Sequence, residues 1–339
     1  MTRLSVRLAL VTLLNAAALP AVAQTAAPAY HLTQTVPLGA PDKWDYLLFD
    51  QGSHRLFIAH GGEVTVVDGQ SGRIVGRVDG LTGAHGVALM PGLGRGYATN
   101  NGQATAFDLT SLTRLTDIPT ANGADAAIAD PATDHVFVMN GKAESLTAID
   151  PRSNTVLGSL ALGGKPEFNA VDGQGALFVN IEDKSEVVRV DTASLKIQAR
   201  WPIPQCDEPH GLAIDAQTRR LFVGCVNTTL LVLDADNGRV VATLPIGKGS
   251  DAVAFDTKRK LVFSSNGDGT VSSFAETGAD SFAALPLIAS APGARTMAVD
   301  ADSGRLFLVT ADIEDKTEPQ GTRRKFVPGT VKLLVLDPR

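Results

Sequence analysis

The sequence predicts an all-β fold, a seven-bladed β-propeller closed by its N-terminal strand, and three observations carry that expectation. The first is a period of about forty residues. An aspartate closing an apolar run of the kind V-x-V-x-D recurs at Asp68, Asp108, Asp150, Asp191 and Asp234, at spacings of 40 to 43 residues. The sixth copy degenerates to Ser273-Phe274-Ala275-Glu276, and the seventh ends at Asp337 after an insertion of about 20 residues. The second is an upstream ladder at Asp50, Pro91, Asp130, Asp172, Asp215, Asp256 and Asp300, each rung followed by an apolar run such as RLFIAH, HVFVMN or RLFVGC. The third is the near absence of helical periodicity after residue 30, where strand alternation takes over with apolar residues on both faces. Short strands at this period mean propeller blades.

The elements follow in chain order. Residues 1–23 read as a secretory leader: Arg3 and Arg7 precede the apolar stretch Leu8 to Leu19, and Ala21-Val22-Ala23 offers a small-residue cleavage site. Residues 24–339 are expected to be one propeller domain. His31 to Leu38 has the sequence of a lone outermost strand, and the last unit ends at its third strand, Val331 to Asp337. The N-terminus is therefore expected to complete the last blade and remove an exposed sheet edge. Each unit reads as four strands, A to D. In the fifth these are His210–Asp215, Arg220–Cys225, Thr229–Asp234 and Val240–Pro245. Asp, Asn and Gly fill the turns between them, because the acid and amide side chains bond backbone N–H groups two residues on. The repeat-spaced aspartates are thus read as structural.

The formal net charge is −6, and loss of Arg3 and Arg7 with the leader takes it to −8. That balance argues against a nucleic-acid partner. No later stretch is long and apolar enough to suggest membrane insertion, and a monomer is expected. The two cysteines, Cys206 and Cys225, read as a disulfide in an oxidising compartment. No C-x-x-C, H-E-x-x-H or Walker loop occurs, and Gly92-Leu93-Gly94-Arg95-Gly96 falls in an inter-strand turn.

Tyr97-Ala98-Thr99-Asn100, Phe137-Val138-Met139-Asn140 and Phe178-Val179-Asn180, each followed by a strand ending in Asp, resemble the YVTN-type repeat of YncE-like bacterial periplasmic β-propellers. The resemblance covers the chain after residue 23. It implies the propeller fold and export to the periplasm or beyond, and it names no catalytic motif.

Aligned units place the first residues of the inner strands in one ring: Asp45, His85, Asp125, Glu167, His210 with Glu208, Asp251 and Arg295. Two carboxylates about 8 Å apart repel by about 2 kcal/mol at an effective dielectric of 20. Such a ring is expected to raise some carboxyl pKa values or to hold a cation. The expected metal ligands are His85, Asp125, Glu208, His210 and Asp251. Carboxylates suit Ca²⁺ or Mg²⁺, and the two histidines also suit Zn²⁺ or Mn²⁺. Asp45, Trp44, Glu167, Phe168 and Arg295 are candidate ligand contacts. Glu182, Asp183 and Lys184 decorate the same mouth. So does the loop Ala311 to Gly329, with Glu314, Asp315, Lys316, Glu318, Arg323, Arg324 and Lys325.

The expected function is binding of a small molecule, an ion or a periplasmic or cell-envelope protein at this mouth, without catalysis. The alternative is a metal-dependent hydrolase or lyase acting on a lactone or ester, with His85 or His210 as acid or base. Glu208-Pro209-His210 resembles the Glu-x-His pair of virginiamycin B lyase, and gluconolactonase-like propellers offer a similar comparison.

Overall fold

The computed structural model describes residues 28–314 and 325–339. The leader expected at 1–23 lies outside the described residues, as do Asp315, Lys316, Glu318, Arg323 and Arg324 of the last loop. Among the described residues seven antiparallel sheets follow one another along the chain. Their inner strands are Leu47–Asp50, Ala84–Met90, Ala124–Asp130, Pro166–Val171, Pro209–Asp215, Ser250–Asp256 and Thr296–Asp300, numbered here as blades 1 to 7. Six blades run A to D in sequence order. Blade 7 takes its outer strand, Tyr30–Pro37, from the N-terminus, which pairs antiparallel with Lys332–Pro338. The ring closes as the sequence predicts.

Blade 5 shows how closely the strands follow the pattern: Pro209–Asp215, Arg220–Cys225, Thr229–Asp234 and Val240–Pro245. Blade 6 departs from it. Its third strand lengthens to Thr270–Gly278, and its outer edge is split into Ser281–Ala284 and Ile288–Ala289, with Pro286 between them. Proline has no N–H to give a ladder, so the split falls there.

The core is distributed over seven seams between neighbouring blades rather than gathered at one centre. The third residue of every strand B is aromatic: Phe57, Tyr97, Phe137, Phe178, Phe222, Phe263 and Phe307, none more than 1% exposed. Each contributes about 1.5–3 kcal/mol by leaving water.

The turn aspartates behave as read from the sequence. Asp50, Asp130, Asp172, Asp215, Asp256 and Asp300 each accept the N–H two residues on. The asparagines that end strand B are also structural. Asn100 accepts from Thr82 and donates to Thr105, and Asn140 accepts from Ala121 N–H and donates to Thr147. These side chains pin the loop entering the blade to strand C.

On the face opposite the ring, arginines strap neighbouring blades. Arg55 reaches the Leu109 carbonyl, Arg95 that of Pro151, Arg220 that of Ala279, and Arg305 those of Gly69 and Gln70. The last strap crosses the closure.

Candidate functional site

The ring residues sit where the inner strand meets the mouth, and a local irregularity aims them. In blades 2, 3, 4, 5 and 6 the pairing of strand A with strand B slips by one extra residue at that point. A bulge of this kind re-aims a side chain at the rim of a closed sheet. Gly86 and Gly211, directly after the two histidines, let neighbouring inner strands approach. A Cβ on Gly211 would lie 2.5 Å from Val253 N, and one on Gly86 2.7 Å from the Asp125 carbonyl. Strand B side chains hold the ring backbone from behind: Thr99 donates to the Asp125 carbonyl and Asn180 to the His210 carbonyl.

The ring resolves into two triplets and an arginine. His85 Nδ1 lies 2.6 Å from Asp45 Oδ2 and 3.8 Å from Asp125 Oδ1, so it is flanked by acids from both adjacent blades. His210 repeats the arrangement three blades on. Its Nδ1 lies 3.0 Å from Asp251 Oδ1, and Glu167, His210 and Asp251 offer ligand atoms within 4.8 Å of one another. Asp45, His85 and Asp125 do the same, as do Glu182, Glu208 and His210. Arg295 Nε sits 3.1 Å from Asp251 Oδ2.

Burial and mutual repulsion shape the electrostatics. Burial, then the charges of Asp45 and Glu167, pushes the Asp125 carboxyl up to about 8. Burial also raises Asp45 and Glu167. Burial alone would lower His210, but its hydrogen bond to Asp251 and the nearby carboxylate of Glu182 override it and hold the imidazole up at about 10. Glu182, bonded by His210 and Lys165, is drawn down to about 2. His85 is raised, chiefly by its bond to Asp45. Negative charge at this mouth is therefore only partly compensated by the protein's own cations.

The five expected metal ligands do not converge on one point. His85 and Asp125 join Asp45, His210 and Asp251 join Glu167, and Glu208 approaches His210 from the side of Glu182. Asp45 and Glu167, read from sequence as ligand contacts, are thus members of the triplets. Trp44 packs edge-on against Phe326 at 5.0 Å, and Phe168 packs against Tyr46 at 4.7 Å between blades. Both rings are engaged in packing. Cys206 and Cys225 form the expected disulfide, with Cα atoms 5.3 Å apart, and it ties the loop carrying Glu208 to the end of strand B.

Two residues escaped the sequence reading. Tyr46 crosses from blade 1 to donate its phenol to Glu167 Oε1 of blade 4 at 2.9 Å, beneath the ring. Lys165 pairs with Glu182 and lies 3.4 Å from Glu167 Oε2. The signal for Tyr46 lay in the column after the ring, Tyr46, Gly86, Ala126, Phe168, Gly211, Ala252 and Thr296, where two large rings stand among small residues. A related column, two residues before the ring, marks Glu208. Blades 2, 3, 6 and 7 carry Gly83, Gly123, Gly249 and Gly293 there, all with positive φ, whereas Glu208 adopts φ +46° with a side chain.

No protein-family model matches the chain, and no curated protein does. Solved structures do. The chain is similar to one from Kuenenia stuttgartiensis hydrazine synthase, at 14% identity over 85% of this chain and 96% of that one, with a TM-score of 0.69. It is also similar to the RRP9 WD40 repeats, at 11% identity over 92% and 99% with a TM-score of 0.76. U3-55K gives 10% identity over 91% and 99% with a TM-score of 0.74. The likeness is one of fold alone.

Proposed function

We propose that this protein is an exported binding propeller that holds a divalent cation, or a ligand bridged through one, at the carboxylate–histidine mouth. One observation carries the reading. Glu167, His210 and Asp251 offer ligand atoms within 4.8 Å of one another, and buried Glu167 Oε2 and His210 Nε2 have no close partner, their nearest charged neighbours, Lys165 Nζ and Glu182 Oε1, standing off at 3.4 Å and 3.7 Å. Buried polar atoms are normally satisfied, and a divalent cation that takes the place of the His210 proton would be held by both. A donor set of imidazole and carboxylate favours zinc or manganese over calcium or magnesium. Export is supported by the Cys206–Cys225 disulfide, which suits an oxidising compartment such as the periplasm. The YVTN-type reading is supported by the structural work of Asn100 and Asn140.

A second reading, metal-dependent opening or elimination of a lactone or ester, draws on Glu208 standing with Glu182 at His210. It places a candidate acid or base beside the same cation.

Elemental analysis of protein purified without chelator, followed by zinc titration, tests the proposal. Bound zinc, a melting temperature lowered by EDTA, and loss of the EDTA effect in His210→Ala/Asp251→Ala are expected. Saturation at 100 times Kd would add about 2.7 kcal/mol of stability. A protein that neither carries nor takes up zinc, manganese or calcium overturns the reading. Lactone turnover by the zinc-loaded protein, abolished in His210→Ala, selects the second one.

A further inference from the structure

The seam between blades 4 and 5 departs from the strap pattern on the face opposite the ring. The strap position, first in strand B, holds Arg55, Arg95, Arg220 and Arg305 in blades 1, 2, 5 and 7, His135 and Leu261 in blades 3 and 6, and in blade 4 the smallest of the seven, Ala176. With no side chain to fill it, a cavity of about 370 Å³ opens there, lined by Ala176, Arg189, Arg219, Asp172, Asp191 and Asp236 with Gln174 and Gln198 at its wall. On this face, among the described residues, the side chain seen to cross the seam runs in reverse, Arg219 reaching back to Asp172 at 3.2 Å.

An arginine has moved rather than vanished. Opposite Phe178 in strand C stands Arg189, where the other blades carry Val66, Ala106, Ala148, Val232, Ser273 and Val335 opposite the same aromatic. Its guanidinium lies 6.0 Å over the Phe178 ring, and its Nε is buried with no partner. Among the described residues it makes no ion pair within 4.0 Å.

The sign of a guest follows from which groups are already satisfied. Asp172 accepts from Gln174 N, Ala176 N and Arg219. Asp191 accepts from Ser194 and Gln198, and Asp236 from Arg219 Nε at 2.7 Å. The carboxylates are engaged and Arg219 is shared between two of them. Arg189 Nε is the buried donor left without an acceptor, which is costly. Guanidinium pairs best with a planar two-oxygen acceptor. Three neighbouring aspartates penalise a second negative charge on the guest. The space exceeds a bare carboxylate, and the two glutamine amides suit hydroxyl groups.

We propose that this seam is a second binding site, distinct from the mouth, for a sugar-sized hydroxylated monocarboxylate held bidentate by Arg189. It does not depend on the mouth binding a cation.

The test uses galacturonate as probe, with acetate and inorganic phosphate for comparison, titrated into the full chain by calorimetry. Galacturonate should bind with a Kd on the order of 1 mM, with acetate and phosphate weaker. Arg189→Gln and, separately, Ala176→Arg, which refills the strap position, should each weaken galacturonate binding by about tenfold or more. His210→Ala should leave it unchanged. If Arg189→Gln does not fold, Ala176→Arg alone decides, because it adds a strap found in four other blades. Absence of galacturonate binding, binding that survives Ala176→Arg, or phosphate binding more tightly than galacturonate overturns the proposal.

Discussion

Glu208 is held in a backbone region that costs an L-residue about 1–2 kcal/mol and costs glycine nothing of that kind. Glu208→Gly is therefore expected to keep or raise the melting temperature while weakening zinc binding at His210, as read by paired thermal and calorimetric titrations. Gly211→Ala should do harm on both counts. Its Cβ would meet the backbone of the next inner strand, and overpacking of this kind costs about 1–3 kcal/mol. The turn aspartates make a pH prediction. Asp68, Asp150 and Asp191 have carboxyls held below their ordinary range, first of all by the hydroxyl of the serine three residues on. A lowered folded pKa contributes stability that is complete above the unfolded value and is lost as pH falls through the folded one. Asp191→Ala should thus lower the melting temperature near about pH 6, and its deficit against the parent protein should shrink towards about pH 3. A deficit that stays constant over that range would mean the charge of Asp191 contributes nothing.

At the scale of the element, the inner strand decides what the mouth contains. Its second residue is turned inward by a one-residue bulge, and the residue after it is small wherever two strands must touch. Column alignment of the sequence therefore found the ring. It missed the partition of the ring into triplets, because which acid faces which histidine depends on bulge geometry and on Tyr46 crossing the channel, neither of which has a local pattern. Lys165 and the role of Glu182 were hidden for the same reason: they meet His210 and Glu167 through loops of variable length. The disulfide makes the element-scale prediction. It joins residues separated by 19 positions, and removing it as Cys206→Ala/Cys225→Ala should cost about 3 kcal/mol in the chain-entropy model. Because Cys206 anchors the loop that bears Glu208, the same change should also weaken zinc binding. Unaltered affinity in the double variant would separate loop anchoring from the site.

At the scale of the whole molecule, the fold was legible because it is written seven times. Seam residues, turn residues and strap residues each recur at the blade period, so one ambiguous copy is read from the other six. The candidate site has no such redundancy. The mouth is made of what differs between copies, such as Glu208 against glycine or Arg295 against an acid, and a difference is legible only once the copies are superposed in space. Closure carries the corresponding prediction. Removing residues 30–37 strips Lys332–Pro338 of its outer partner and exposes that edge. A fall of about 10 °C or more in melting temperature is expected, together with concentration-dependent association. An unchanged melting profile would show that the N-terminal strand adds nothing to the ring.

That pairing also sets an order of events. Tyr30 meets Pro338, so among the strands of the ring the one synthesised first waits for the one synthesised last. No earlier point in synthesis offers a finished ring, and the contact that completes it joins the two strands of the ring most distant in sequence. A chain that stalls short of Lys332 keeps two unpaired edges. Interrupted copies should therefore be recognised by proteases and chaperones as unfinished, and ring closure becomes a test of whether all seven blades have been made.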